Sequence, residues 1–272
     1  MRDTVPMATT TAADGTTIEF DDHIAPDGAN DETPVILVHG ITESAATWDP
    51  LIGPLNAGRR VVALDLRGHG RSGTAERYDL EAMAGDVVAV SMALELERPH
   101  LVGHSLGGAV VSAAGAALPV SSIVNVDQSL QLDGFKAQLM AFEPQLRDSD
   151  AFPLVIQGLF EMMAGEKISP DEMARVNAQR RADQAVVLGV WEMILTSPVE
   201  EIAAVVDGAL AGYAGLDVAY LSIFGIDPGE GYGDWIASHI DGAVTEVWPD
   251  HGHYPHLVEP ERFVDRLNQF WS

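Results

Sequence analysis

Around Ser105 the chain has to change from strand to helix within a few residues. Leu101 and Val102 supply an apolar lead-in of strand character, and residues 109–117, rich in Ala and Val, read as a helix. Between them lies Gly103-His104-Ser105-Leu106-Gly107-Gly108, in which glycines stand two residues before and two after the serine. This is the G-x-S-x-G spacing of a nucleophile elbow. A serine at such a turn holds a strained backbone with its hydroxyl pushed clear of the sheet. The positions two residues away on either side then approach so closely that only very small side chains fit. The pattern also arises by chance, so the rest of the chain has to supply the partners that an activated serine needs.

Strand and helix alternate up to residue 127. Residues 16–21 alternate polar and apolar side chains like an edge strand, and residues 25–34 form a polar turn region with Pro, Gly and Asn. Residues 35–38 are a continuous β-branched and apolar run, as expected of a strand buried on both faces of a parallel sheet. Residues 44–55 follow as a helix limited by Pro50 and Pro54, with Trp48, Leu51, Ile52 and Leu55 on one face. A second buried strand spans 61–66 and a helix spans 80–96, with Met83, Val87, Val90 and Leu94 along its apolar face. After the elbow comes a strand at 122–126, closed by Asp127. This order predicts an α/β fold, a mostly parallel sheet with helices on both faces. From 130 to about 216 helical periodicity dominates, punctuated by prolines at 144, 153, 170 and 198. Strands return at 220–224 and 244–248, with helices at 233–239 and 261–271. The expected organisation is a core of residues 1–128 and 217–272 and a helical cap insertion of residues 129–216.

Composition narrows the function classes. With 272 residues and 47% hydrophobic side chains a full core is available. Lys+Arg 15 against Asp+Glu 41 gives a net charge of −26, which argues against nucleic acid and anionic membranes as partners. Lys136 and Lys167 are the only lysines, a balance suited to a protein kept soluble in high salt and equally to a genomic bias. Without cysteine there is no disulfide framework and no thiolate metal site. The first 17 residues hold no apolar core of leader type. Residues 99–126 carry no formal charge, but strand, elbow, buried helix and strand explain them better than a bilayer span. A soluble, cytoplasmic protein is expected.

A serine hydroxyl needs a base within hydrogen-bond reach, and the base needs an orienting group. His253, in Asp250-His251-Gly252-His253-Tyr254-Pro255-His256-Leu257, lies between the last strand and the last helix. In a parallel sheet that loop emerges at the same edge as the elbow. His251 and His256 compete with it, and three histidines could also suggest a metal, although Pro255 and the lack of a carboxylate at helical spacing oppose that.

Taken with His39-Gly40, with Asp65 to Ser72 in the pattern D-x-R-G-x-G-x-S, and with Glu259-Pro260 and Phe263, these motifs make the chain resemble a compact, capped α/β-hydrolase of esterase type. The resemblance runs from Val35 to the C-terminus and is weakest in the insertion. It implies Ser105 as nucleophile, His253 as general base and then acid, and an oxyanion hole from the backbone N–H groups of Ile41 and Leu106. It implies a small acyl substrate and no cofactor or metal. For the acid, relatives often carry Gly-x-x-Asp after the strand that follows the cap. Here the spacing is Gly225-Ile226-Asp227, one residue short, and Asp227 is the expected acid. Asp127, at the end of the preceding strand, is its rival. His39, His104, Asp65 and Arg67 read as structural. A lactonase, a C–C bond hydrolase, a cofactor-free perhydrolase or a non-catalytic binding protein could use the same scaffold.

Overall fold

The computed structural model describes residues 7–26 and 32–272. Eight strands form one sheet: β1 (Met7–Thr11), β2 (Thr17–His23), β3 (Glu32–Val38), β4 (Arg59–Leu64), β5 (His100–His104), β6 (Ser122–Val126), β7 (Ala219–Phe224) and β8 (Val244–Val247). Their spatial order is β1-β2-β4-β3-β5-β6-β7-β8. β2 runs antiparallel to β1 and β4, and every pairing from β4–β3 through β7–β8 is parallel. Parallel neighbours need crossovers. These carry α1 (Asp49–Leu55), α2 (Leu80–Ala93) and α3 (Leu106–Gly115). Between β6 and β7 stand α4 (Asp133–Arg147), α5 (Phe152–Ala164), α6 (Pro170–Gln179), α7 (Gln184–Thr196) and α8 (Val199–Ala211). The chain finishes with α9 (Tyr232–His239), the single turn α10 (Pro255–Val258) and α11 (Pro260–Trp271).

The pleat of β3 shows why both faces must be covered. Ile36 and Val38 enter one core with Met83, Val87 and Val110, whereas Val35 and Leu37 enter the other with Trp48, Leu51 and Phe263. Ridding both sides of a central strand of water leaves the carboxyl ends of the strands as the place where loops meet. The helices between β6 and β7 gather a third apolar cluster around Leu139, Phe152, Phe160 and Trp191, and Ile41 and Leu106 from the sheet side join it. The insertion is thereby seated over the elbow.

Three local expectations are corrected. The edge strand is β1, not residues 16–21: β2 is flanked by β1 and β4. β1 is built of Met, Ala and Thr and half exposed, so hydrophobic alternation barely marks it. The expected turn region reaches only as far as β3, which already contains Pro34. A register shift between Glu32 and Val35 absorbs the proline's missing N–H. The helix expected over 44–55 is two pieces, a 3-10 turn at Ala45–Trp48 and then α1 with Pro50 in its first turn. Residues 1–6 of the segment read for a leader and 27–31 of the turn region lie outside the described residues. Among the described residues no helix is long and apolar enough to cross a membrane.

Candidate active site

The elbow sits where β5 ends and α3 begins. Ser105 has φ 52° and ψ −125°, a left-handed conformation that costs a non-glycine residue of order 1–3 kcal/mol. Its N–H donates to Val126 O at 2.9 Å, anchoring the turn to β6. A Cβ on Gly103 would lie 2.0 Å from Gly107 O, and one on Gly107 would lie 2.2 Å from Val38 O. Both glycines are therefore demanded by backbone contacts that cannot yield. Leu106 is the first residue of α3, so its N–H belongs to the helix end whose donors have no intrahelical acceptor.

His253 faces the same cavity as Ser105. Its N–H donates to Met163 O at 2.9 Å, which holds the loop against α5. Gly252, with φ 59°, makes this approach possible, since a Cβ there would lie 2.2 Å from Ala164 O. On the ring, Nδ1 is 2.6 Å from Asp127 Oδ2. A carboxylate partner makes Nδ1 the donor, which leaves Nε2 as the basic nitrogen. Nε2 is buried with no hydrogen-bond partner among the described residues. Burial pulls the His253 pKa below the ordinary histidine value, although the hydrogen bond that its ring donates to Asp127 works the other way.

The carboxylate beside His253 is that of Asp127, which corrects the expectation placed on Asp227. Asp127 follows β6 directly, takes φ 54°, and accepts from Gly225 N at 2.7 Å and Ile226 N at 3.0 Å through Oδ1. Asp227 closes its own turn instead, accepting from Gly229 N at 2.9 Å, and stands on the wall of the cavity. The loop after β7 contributes two amide donors to the Asp127 carboxylate rather than a carboxylate beside His253. A Cβ on Gly225 would lie 2.0 Å from Gly252 O, so Gly225 itself marks a contact with the histidine loop. The legible signal for Asp127 was its position immediately after a buried strand.

Ile41 lies in a β-turn closed by Glu43 N to Gly40 O at 3.1 Å. It is buried and lines the cavity, which the half-buried Leu106 also lines. Thr42, the third residue of the turn, has φ 65°. Motif reading missed Glu43. Its carboxylate is buried and meets four groups: Gly40 N at 3.2 Å, His104 Nδ1 at 3.3 Å, Tyr254 Oη at 3.0 Å and Arg180 Nη2 at 3.4 Å. Burial opposes its charge, but His104 and Arg180 outweigh it and hold the pKa well below the usual carboxylate range. In the sequence Glu43 stands between Thr42 and Ser44, a polar stretch that gives no sign of burial.

The remaining expected residues separate cleanly. His39 Nδ1 donates to Gly40 O at 2.7 Å while its Nε2 accepts from Leu66 N at 3.0 Å, bridging β3 and the loop after β4. His104 Nε2 meets His253 O at 2.7 Å. Asp65 accepts from Ala45 N and from Arg71, and Arg67 forms a buried pair with Asp86. His251 pairs with Glu259 at 2.8 Å, and His256 packs on Trp48. The three histidines of the loop thus diverge, and among the described residues no group of three His or carboxylate side chains is arranged to hold a metal ion.

The cavity is about 1360 Å³ and runs from Ser105 and His253 outward beneath the insertion. Phe135, Leu139, Phe142, Phe160 and Trp191 supply its apolar wall.

A parallel sheet, a serine elbow and a histidine opening on one cavity define the α/β-hydrolase class. Residues 35–266 match the model of the alpha/beta hydrolase family, and the chain belongs to that family. It is 34% identical over 172 residues to the dihydrolipoyllysine-residue acetyltransferase component of an acetoin cleaving system from Pseudomonas putida, covering 57% of this chain and 46% of the relative. It is 41% identical over 108 residues to a non-heme chloroperoxidase from Streptomyces lividans, covering 39% of this chain and 38% of the relative. Each match thus spans less than half of the relative's length. An esterase from Exiguobacterium antarcticum has the same fold, with a TM-score of 0.78, 21% identity, and coverage of 97% of this chain and 98% of that one.

Proposed function

We propose that the chain is a cofactor-free serine hydrolase that cleaves a small ester or related acyl substrate through an acyl-enzyme on Ser105. The observation that carries this is the His253 ring, held by Asp127 at Nδ1 and presenting a free, buried Nε2 to the cavity that Ser105 lines. In this reading Ser105 Oγ attacks the carbonyl carbon and its proton passes to Nε2. Asp127 stabilises the imidazolium without taking the proton. The oxyanion is received by the Ile41 and Leu106 N–H groups, each worth about 3 kcal/mol of barrier. Collapse expels the alcohol, protonated by His253. Water, deprotonated by the same nitrogen, then attacks the acyl carbon and releases the acid. The helices of residues 129–216 act as the cap that shapes the acyl and alcohol pockets over the core of residues 1–128 and 217–272.

Ser105→Ala tests this: turnover of p-nitrophenyl esters disappears while the circular dichroism spectrum is kept. Activity like that of the wild type in the variant overturns the assignment. The similarity to a non-heme chloroperoxidase favours a second reading of the same site, with hydrogen peroxide replacing water in deacylation and a peracid as product. Peroxide-dependent halogenation of monochlorodimedone in the presence of a carboxylic acid distinguishes it from simple hydrolysis.

A further inference from the structure

The turn that carries the Ile41 N–H contains a residue that does not favour its own conformation. Thr42 is β-branched and sits at φ 65°, where glycine or asparagine is the usual occupant of the third position of such a turn. A conformation of this kind persists only where the surroundings over-determine it. Here the surroundings come from the insertion, at the end of α6. Arg180 Nη1 donates to Thr42 Oγ1 at 2.8 Å, and Arg181 N donates to Thr42 O at 2.8 Å. Arg180 Nη2 reaches Glu43 and also donates to Tyr254 Oη. Glu43 in turn holds Gly40 N at the start of the turn and His104, the neighbour of Ser105. Tyr254 is the neighbour of His253. The face of the guanidinium lies 3.8 Å over the ring of Phe160, which lines the cavity.

One guanidinium therefore touches the cap, the turn expected to bind the oxyanion, and the segment that carries the base. It is itself nearly buried, 11% exposed, against a carboxylate 2% exposed. Charge-assisted hydrogen bonds in such a setting fix geometry more firmly than neutral ones, and a planar fork fixes it in direction as well as distance. We propose that Arg180 is a positioning residue through which the insertion sets the Gly40–Glu43 turn, and with it the Ile41 N–H, in the geometry that receives the oxyanion. The kinetic part of this proposal rests on the serine-hydrolase reading above; the structural part does not.

Arg180→Met and Arg180→Lys, each beside Ser105→Ala and the wild type, test it. The substrate is p-nitrophenyl acetate, whose acetyl group keeps contact with the cavity wall small. The expected result for Arg180→Met is a kcat at least ten-fold lower with KM changed less than three-fold. Inhibition by a phenylboronic acid, which mimics the tetrahedral oxyanion, weakens by the same factor as kcat/KM, and Arg180→Lys recovers part of both. Hydrogen–deuterium exchange reads the turn directly: the peptide spanning 39–48 loses protection in Arg180→Met. An unchanged kcat and boronate affinity beside a lowered melting temperature overturns the proposal, because a merely structural tether predicts that outcome. Unchanged protection of 39–48 overturns it as well. If Ser105→Ala keeps wild-type activity, the serine-hydrolase reading falls, and the exchange measurement alone decides whether Arg180 sets the turn.

Discussion

Asp127 and His253 illustrate how much of a site turns on a single side chain. Asp127 Oδ1 accepts from two amides and Oδ2 from the imidazole, so the carboxylate is fixed in one orientation. Asp127→Asn is expected to lower kcat/KM by roughly 10³- to 10⁴-fold, since an amide stabilises neither the right tautomer nor the imidazolium. Asp227→Asn changes it by less than a few fold, because its carboxylate closes a turn on the cavity wall and does not meet His253. Steady-state kinetics of the two variants side by side checks both. The pH profile follows from the environment of His253. In the proposed mechanism neutral imidazole is the active form, and burial holds its pKa below the ordinary value of 6.5. The acid limb of kcat/KM therefore falls below pH 6.5, and activity persists into mildly acidic buffer. A limb at or above 6.5 contradicts this. Motif reading pointed to Ser105 because a strained elbow leaves a trace in glycine spacing, and to His253 through its loop at the same sheet edge and the family resemblance. It did not find Glu43 or Arg180, since their partners lie far away along the chain.

Elements meet at this site backbone to backbone. The loop after β7 and the loop after β8 touch at Gly225 and Gly252, and the end of α5 touches Gly252 from the other side. Such contacts leave no room for a methyl group, and forcing one in costs typically 1–3 kcal/mol of overpacking or a shift of the loop. Gly225→Ala is expected to push the His253 loop off Asp127, with a large loss of activity and a lower melting temperature, read by ester hydrolysis and thermal unfolding. Full activity in that variant shows that the loops can separate without disturbing the base. At this scale the buried strands β3, β5, β6 and β7 were legible because short runs rich in Val, Ile and Leu have few other uses. β1 was not, because an edge strand of Thr and Ala owes its existence to backbone pairing with β2 rather than to its own side chains.

Over the whole molecule, a charge of −26 on 272 residues makes self-repulsion a global term. Many of the arginines are consumed in pairs, such as Arg60 with Asp22, Arg71 with Asp21 and Asp65, and Arg266 with Glu246. Pairing cannot offset the excess, and the Debye length shrinks from ~10 Å at 0.1 M to ~3 Å at 1 M salt. The melting temperature is expected to rise as potassium chloride goes from 0.1 M to 2 M, followed by scanning calorimetry, and a flat or falling response counts against adaptation to high salt. Hydrophobic pattern, glycine spacing and chain order by themselves determined the parallel sheet, the elbow at Ser105, the loop of His253 and the helical insertion, because each is a local consequence of burial or of backbone strain. Which aspartate reaches His253, and what holds the Ile41 turn, only the tertiary structure decided. Both answers depend on groups brought within 3.5 Å from strands and helices more than 120 residues apart in the chain, and no local pattern records that distance.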